Sequence, residues 1–490
     1  MTDNAPTRIE QRGIEPVPAA ERNGNPLQLF WVWFAANISI LGLPLGASLV
    51  AFQLLNFWQS LIVAIIGAAG AFALVGVVSI AGRRGGAPSM TLSRAVFGVR
   101  GNIGPSIVSL MSRLGWETVN TTTGAFVLLS LFTILFGTAG DAKSVPVLAL
   151  IAIVIFVACT LLVSGLGHAA ILVVQKWSTW IFGALNLVVA VFLVATVDWT
   201  AVFAAAPAPV GAMLVGIGVI AAGTGIGWAN AGADMSRYQR TSVRAGHLIA
   251  SAAAGAGIPL VVLIGLGSLV TIGDPSLAQA TDPVAAIRQL LPSWMAVPYL
   301  IAAFGGLLLS NHLSVYSAGL TTLTLGIRIK RVYAVTVDVI VTFIGAIYFV
   351  LIADSFYGPF ITLISLLAVP ITAWLAIFLV DMIKRHYYDP DALLDLGSRS
   401  GYWYRGGIEW RATGSWAIAI VIGLLFSKVG PADAPWFAGA LSESWIATNG
   451  LAWIATFVVA GVLYLLLGGA RPGAVPLDAP EPAETLVDHA

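Results

Sequence analysis

Long apolar runs recur along almost the whole chain and are separated by short polar segments. A helix rises about 1.5 Å per residue and the hydrocarbon core of a bilayer is about 30 Å thick, so a crossing needs about 20 mostly apolar residues. The runs predict twelve membrane-spanning helices, numbered here as spans 1 to 12: 27–53, 58–81, 103–136, 145–166, 177–197, 210–233, 246–272, 296–326, 332–353, 358–382, 413–429 and 449–468.

Composition supports an all-α integral membrane protein. Of the 490 residues, 58% are hydrophobic and 10% are charged, whereas soluble domains have about 25% charged residues. A net charge of +1 gives no electrostatic reason to expect a nucleic-acid partner. Cys159, the single cysteine, lies in an apolar run, so neither a disulfide framework nor a cysteine-based metal site is expected.

Basic residues predict the orientation in the membrane. With a cytoplasmic N-terminus, 20 of the 24 Lys and Arg residues fall in cytoplasmic segments. This bias predicts that both termini of a multi-pass cell-membrane protein are cytoplasmic. Residues 1–26 lack the pattern of a signal peptide and are predicted to form a cytoplasmic tail, and the Pro/Ala/Glu-rich residues 470–490 are predicted to be disordered.

Two spans are interrupted near their middle. The residues that weaken helical hydrogen bonding are Gly42, Pro44 and Gly46 in span 1, and Gly223, Gly225 and Gly227 in span 6. Such paired interruptions, five spans apart, predict two inverted five-helix repeats with a ligand site at mid-membrane. The repeats would be 27–197 and 210–382, followed by two helices in 413–468. Close helix packing through small residues is the alternative explanation.

Span 3 carries two charges within an apolar segment, Arg113 and Glu117. If the apolar layer begins near residue 107, Glu117 lies about 15 Å deep, where a carboxylate is expected to face a cavity. Trp116 and Asn120 are four residues apart and share a helix face. Arg113 stands four residues before Glu117, so a structural ion pair is the alternative to a functional role.

Spans 6 and 8 supply further polar candidates. Trp228 and Asn230 follow the interruption in span 6, whereas Asp234 and Arg237 are expected to form a gate or helix-end pair. His168 is expected to be interfacial. Span 8 holds five polar residues, which either line a cavity or bond neighbouring helices: Ser310, Asn311, His312, Ser314 and Tyr316. An imidazole such as that of His312 can carry a proton near physiological pH.

Several segments resemble the nucleobase:cation symporter-1 family, and most closely its purine–cytosine permease branch. They are GIEPVP before span 1, WFAAN within it, RRGGAPSMTLSRAVFG between spans 2 and 3, GWETVNT in span 3 and GWANAGADMSRY in span 6. The resemblance covers spans 1 to 10. It implies a LeuT-like fold of five helices plus five inverted helices, with two more, and the import of flat heterocycles.

The resemblance also implies roles for individual residues. Trp116 and Trp228 would sandwich the ring, and Asn120 would bond its edge together with Asn311, or with His312 if the register slips by one residue. Sodium-coupled members use backbone oxygens of span 1, here about Ala35 and Ile38, and hydroxyls of span 8. The matching residues appear as Gly306 and Leu307, which lack a side-chain oxygen. Because a hard cation needs several oxygen ligands, proton coupling is favoured, with Glu117 and Ser310 as further candidates.

The sequence therefore predicts a proton-coupled importer of cytosine or a purine that works by alternating access. It has no resident cofactor in this interpretation, and its oligomeric state stays open. A sodium-coupled transporter of allantoin- or hydantoin-type compounds and an amino-acid transporter of the same fold are the alternatives. Motifs of membrane-embedded hydrolases and the charge rings of channels are missing from the sequence, so neither an enzyme nor a channel is expected.

Overall fold

The computed structural model describes residues 9–274, 283–353, 357–430 and 435–469. The predictions for residues 1–8 and for the tail 470–490 lie outside these ranges. Within them the chain is almost entirely helical, and nine helices are long and apolar enough to cross a membrane. A tenth candidate crossing is a bent pair of helices at span 1. The prediction of an all-α membrane fold is confirmed.

The helices follow the predicted spans in order, and we keep the span numbers. Span 1 consists of Pro26–Asn37 and Gly42–Ala51, and the others are Phe57–Gly85, Ile103–Phe136, Pro146–Leu166, His168–Ala195, Val210–Ala229, Ala245–Gly273, Ser293–Thr324, Arg331–Ile352, Tyr357–Lys384, Trp410–Leu425 and Ala452–Leu466. The last two helices have 16 and 15 residues, fewer than the roughly 20 that a crossing needs. The count of twelve crossings therefore stays a prediction.

Short elements connect the spans. The helical ones are Ala19–Glu21, Ser89–Phe97, Trp199–Ala204, Gly232–Ser236, Pro283–Gln289, Pro390–Leu394 and Trp445–Thr448. Lys428–Val429 and Phe437–Ala438 form an antiparallel pair of two-residue strands. Polar segments from the N-terminus and from the loops after spans 2, 6 and 8 meet at one end of the bundle, through contacts such as Val17 to Gly86 and Gly24 to Tyr238. We call this end the basic face.

Span 1 bends by 61° between its two helices. The break lies at residues 38–41, before Gly42, and not at Gly42, Pro44 and Gly46 as the sequence predicted. Pro44 is the third residue of the second helix, where a backbone N–H has no intrahelical partner to lose. Gly46 serves packing, because a Cβ there would collide with the Ile264 carbonyl of span 7. The packing explanation is therefore correct for Gly46.

Span 6 is interrupted where the sequence predicted. Residues Ala222–Ile226 form a π-helical turn, and Thr224, with φ −129° and ψ −105°, leaves the helical conformation. The Thr224 hydroxyl donates to the Ile220 carbonyl at 2.6 Å. The helix resumes at Gly227–Ala229 and, after a turn, at Gly232–Ser236. The main chain is thus irregular immediately before Trp228.

Span 5 begins at His168 and not near 177. Gly167, with φ +106°, provides the sharp turn from span 4, a conformation that only glycine adopts readily. The early part of the helix holds Gln175, which is buried and donates to the Leu309 carbonyl at 2.8 Å. The predicted start of span 5 was therefore too late.

The spans pack in two groups. Spans 1, 2, 6 and 7 contact one another, and spans 3, 4, 8 and 9 contact one another, with span 3 running along span 8. The interrupted parts of spans 1 and 6 face spans 3 and 8 where the two groups meet, as the contacts of Gly306 with Ser39 and of Gly227 with Trp116 demonstrate. The candidate site lies at this boundary.

Candidate substrate and coupling site

Trp228 is held by aromatic and cationic neighbours. Its exposed fraction is 9%, and its ring centroid lies 5.5 Å from that of Trp33, with the planes inclined by 72°. The guanidinium carbon of Arg113 lies 4.2 Å from the Trp228 ring centroid, within the range of a cation–π contact. A planar ligand that stacks on Trp228 must therefore share the indole with Arg113.

Arg113 also bonds the main chain of span 6. One Nη donates to the Gly227 carbonyl, directly after the interruption. The Ser314 hydroxyl of span 8 donates to the Arg113 carbonyl at 3.3 Å. Arg113 thus joins span 3 to the irregular part of span 6, a role that the sequence did not indicate.

Glu117 is fully buried, and it makes no ion pair with Arg113 within the described residues. Neither of its carboxylate oxygens has a hydrogen-bond partner there. The two side chains therefore form no direct ion pair among the described residues, although Arg113 and Ser314 lie near enough to act on the carboxylate. Burying an unpaired carboxylate is expensive, and such residues in membrane spans generally mark a ligand or proton pathway.

Trp116 lies beside the interruption of span 6. It is half-buried, and a Cβ built on Gly227 would be 3.5 Å from the Trp116 Nε1. The structure therefore brings three predicted site residues together, namely Trp116, Gly227 and Trp228. Because Gly227 has no side chain, the indole of span 3 can approach the main chain of span 6.

Two predicted amides meet between spans 3 and 8. The Asn120 Nδ2 donates to the Asn311 Oδ1 at 3.5 Å, and the Asn311 Nδ2 donates to the Thr160 hydroxyl of span 4 at 3.1 Å. The Asn120 Oδ1 has no partner among the described residues. Both side chains are buried. Thr160 orients Asn311, and sequence reasoning missed it because a lone threonine in an apolar span gives no signal.

Two other predicted residues are buried but are not joined to the tryptophans. Both ring nitrogens of His312 and both amide atoms of Asn230 lack a hydrogen-bond partner in the described part of the chain. The His312 carbonyl accepts a hydrogen bond from Ser164 at 3.1 Å. Ser310 is half-buried in the same span. Their roles stay predictions.

Span 8 crosses the break in span 1 at Gly306. A Cβ there would lie 2.9 Å from the Ser39 Cα and 3.2 Å from the Ile38 carbonyl oxygen. Gly306 thus lies against the backbone of span 1 at its break and offers no side-chain oxygen there. Ala35 is buried one turn before Ile38, and Leu307 packs in an apolar cluster with Ile40 and Leu43.

Sequence reasoning missed two buried polar residues, Ser39 and Asp338. The buried Ser39 hydroxyl, at the break itself, has no partner among the described residues. Asp338 of span 9 is buried, and its carboxylate accepts from the Thr322 hydroxyl at 3.1 Å. A single aspartate in the apolar run VYAVTVDVIVTF is the signal that would have found it.

The predicted pair of Asp234 and Arg237 is wrong. Asp234 accepts from the Ser317 hydroxyl at 2.6 Å and from the Ser89 backbone N–H at 2.7 Å. Arg237 instead pairs with Glu10 of the N-terminal segment at 2.7 Å. His168, predicted to be interfacial, is the first residue of span 5; it is buried and stacks on Tyr238 with ring centroids 4.8 Å apart.

A helical membrane bundle with two interrupted spans that bring tryptophans and amides close together is the arrangement typical of a secondary transporter. The fold matches that of Mhp1, a nucleobase-cation-symport-1 family transporter solved in a closed conformation with bromovinylhydantoin bound. The TM-score is 0.70 at 18% identity, over 93% of this chain and 94% of Mhp1. MhsT, solved in complex with L-phenylalanine, shares the fold with a TM-score of 0.52 at 14% identity, over 91% of this chain and 99% of MhsT.

Residues 16–446 match the family described as permease for cytosine/purines, uracil, thiamine, allantoin, and the chain belongs to this family. YxlA of Bacillus subtilis is 27% identical over 475 residues, which are 94% of this chain and 96% of that protein. The purine-cytosine permease fcyB of Emericella nidulans is 26% identical over 402 residues, 78% and 74% of the two chains. The protein is a nucleobase-type transporter of the membrane and not an enzyme.

Proposed function

We propose that the protein imports cytosine or a purine together with protons by alternating access. The observation that carries this proposal is the grouping of Trp116 and Trp228 around Gly227 beside the amides of Asn120 and Asn311. Indole faces stack on any flat ring, and amides offer both donors and acceptors to its polar edge. The purine-cytosine permease among the relatives supports this substrate class.

The charges at the site support proton coupling. Glu117 is buried without a hydrogen-bond partner among the described residues, so it is available to exchange a proton when the cavity opens. Gly345 of span 9 contacts Thr118, the neighbour of Glu117, and Asp338 lies seven residues before Gly345, toward Arg331 at the basic face. Asp338 is therefore nearer to the basic face than Glu117 is. We assign to it the second step of proton transfer, toward the basic face.

The basic face is proposed to be cytoplasmic. The concentration of Lys and Arg in the segments that meet there fits the positive-inside rule. Uptake into the cell then requires the substrate to enter from the opposite face and to leave past the N-terminal segment.

A sodium-coupled transporter of allantoin- or hydantoin-type compounds is the second candidate. The observation in its favour is the unpartnered Ser39 hydroxyl beside the Ile38 carbonyl, since both are oxygen ligands of the kind that a hard cation takes. Gly306, with no side-chain oxygen at the same crossing, argues against it.

Uptake by proteoliposomes tests both proposals. Labelled cytosine, hypoxanthine, allantoin and phenylalanine are each offered under an imposed pH gradient and, separately, under a sodium gradient. We expect accumulation of cytosine or hypoxanthine under the pH gradient. Accumulation of allantoin that requires sodium would establish the second candidate, and accumulation of phenylalanine alone would refute both.

A further inference from the structure

Residues 9–25, which we call the N-terminal strap, lie across the basic face. Backbone hydrogen bonds fasten the strap to three parts of the bundle: Glu10 N–H to the Leu166 carbonyl at 2.8 Å, Val17 N–H to the Gly86 carbonyl at 2.8 Å and Gly24 N–H to the Tyr238 carbonyl at 2.9 Å. The strap therefore touches the ends of spans 2 and 4 and the segment after span 6, and it leads directly into span 1.

Glu10 is the most heavily bonded residue of the strap, and its exposed fraction is 8%. Four groups donate hydrogen bonds to its carboxylate: Arg237 at 2.7 Å, the Tyr238 hydroxyl at 2.7 Å, the His168 backbone N–H at 2.9 Å and the Tyr316 hydroxyl at 3.2 Å. Arg331 forms a longer ion pair with it, at 3.7 Å. These partners belong to span 5, to the segment after span 6, and to spans 8 and 9. One carboxylate thus joins the two groups of spans.

Arg237 depends on the strap for its charge compensation. Its side chain is fully buried, and Glu10 is its ion-pair partner among the described residues. A second guanidinium nitrogen donates to the Gly13 carbonyl of the strap at 2.6 Å. Removing one partner of a buried ion pair leaves an uncompensated charge and is strongly destabilising.

Opening of the basic face must disturb this arrangement. In the alternating-access proposal, the mobile halves of spans 1 and 6 move relative to spans 8 and 9. Arg237 follows span 6, whereas Tyr316 and Arg331 belong to spans 8 and 9. Glu10 cannot keep all of these partners once the two groups separate.

We propose that Glu10 is a positioning residue that holds the basic face closed, and that release of the N-terminal strap accompanies each opening of that face. The inference rests on the proposed function only for alternating access, and not for the substrate or the coupling ion. Breaking the Glu10 contacts should therefore favour the state that is open at the basic face.

The charges around Glu10 keep it ionised. Burial opposes its ionisation, but the positive charges of Arg237 and Arg331 and the hydrogen bond from Tyr238 outweigh burial, so the pKa of Glu10 lies below its usual range. His168 and Tyr316 are the other titratable groups that face it. While the strap is closed, Glu10 is therefore ionised at neutral pH.

Amide hydrogen exchange of the full chain tests the inference without any substrate. We compare the wild type with Glu10→Gln and with the control Glu21→Gln, which removes the same charge from an exposed pair with Arg12. Peptides covering residues 9–17 should exchange at least about tenfold faster in Glu10→Gln, because a buried ion pair is lost. The control should match the wild type. Unchanged exchange in folded Glu10→Gln would overturn the inference.

A cysteine reporter measures opening directly. Leu323 lies beneath the strap: its exposed fraction is 8%, and a Cβ built on Gly13 would be 3.0 Å from its Cδ1. In a Cys159→Ala background, which has no other thiol, Leu323→Cys should react with a polar maleimide about tenfold faster when Glu10→Gln is added. Equal rates would contradict the gating role, even if exchange of the strap were faster.

Transport measurements separate this inference from the proposed function. If wild-type protein transports none of the offered heterocycles, the proposed substrate is refuted while the exchange and labelling results still decide on the strap. Should Glu10→Gln fail to fold, Tyr238→Phe removes a single hydrogen bond to Glu10. It should accelerate both exchange and labelling by about threefold, and rates equal to those of the wild type would overturn the inference.

Discussion

Trp228→Ala and Trp116→Ala should lower substrate affinity to a similar extent but lower stability to different extents. If each indole covers one side of the substrate, either replacement loses about 1–3 kcal/mol of binding, by analogy with base–aromatic stacking. This corresponds to a roughly ten- to hundredfold weaker Kd. The two affinities should therefore change together.

The structure gives different stability costs for the two residues. Trp228 is buried against Trp33 and lies under the Arg113 guanidinium. Its removal leaves a cavity, which costs about 3–5 kcal/mol for such truncations, and removes a desolvated cation–π contact of about 2 kcal/mol. Trp116 is half-buried, so its truncation exposes a smaller cavity. We expect the larger drop in unfolding temperature for Trp228→Ala.

The assay is binding of labelled cytosine to detergent-solubilised protein, combined with thermal unfolding of the same samples. Trp228→Phe serves as the matched control, since it keeps an aromatic face at the same position and should recover most of the affinity. Wild-type affinity in both folded alanine variants would refute the stacking role. Losses of affinity that are proportional to the losses of stability would indicate a general structural defect, and they would also refute the stacking role.

Further predictions concern charge and coupling. Folded Glu117→Gln should lose substrate binding or the pH dependence of binding, and normal transport by this variant would refute a functional role of Glu117. Arg113→Ala should destabilise the protein more than Glu117→Gln does, because Arg113 bonds the Gly227 carbonyl and covers the Trp228 ring. Uptake in proteoliposomes should survive replacement of sodium by choline and collapse with a protonophore, and strict sodium dependence would contradict proton coupling. Asp338→Asn should abolish proton-driven accumulation yet keep exchange of substrate across the membrane, and unaltered accumulation would exclude Asp338 from the proton route. The pKa of Glu10 is lowered in the folded protein, so its ionised form stabilises the fold at pH values above the ordinary carboxyl pKa of about 4.3. This stabilisation is lost as the pH falls through the lower pKa of the folded state. Amide hydrogen exchange of the strap, corrected for its intrinsic rate, should therefore be constant between about pH 6 and 8.

The apolar pattern predicted most of the fold because each span needs its own hydrophobic length, which is a local property. It failed where a local signal had two physical meanings. Pro44 is compatible with a first helical turn as well as with a break, and the real break precedes it. Span 5 begins before its predicted start, and the buried Gln175 lies within the helix because its amide nitrogen donates to the main chain of span 8.

The candidate site was predicted through motifs, and its neighbours were not. Three site residues lie in segments that resemble the family: Trp116, Asn120 and Trp228. Other residues meet the site or the neighbouring helices only in the folded chain, and they are Trp33, Thr160 and Glu10. Glu10 belongs to a polar segment that reads as a solvated tail. Its burial depends on arginines and tyrosines more than 150 residues away, and a single sequence has no periodicity that reports such contacts.

Two fully buried arginines, Arg113 and Arg237, explain why the carboxylates near them can behave differently. Arg237 forms an ion pair with Glu10. This pair keeps the Glu10 carboxylate ionised, so that it can hold the basic face closed. Arg113 instead donates to the Gly227 carbonyl and lies over the Trp228 ring. Glu117, one helical turn after Arg113, therefore has no ion pair among the described residues. A carboxylate with an arginine partner, such as Glu10, stays ionised. A buried carboxylate without such a partner, such as Glu117, can change its protonation as the cavity fills and empties. In the proposed mechanism, the position of Arg113 over Trp228 would therefore link stacking of the substrate to the protonation of Glu117, as coupling between a ring and a proton requires.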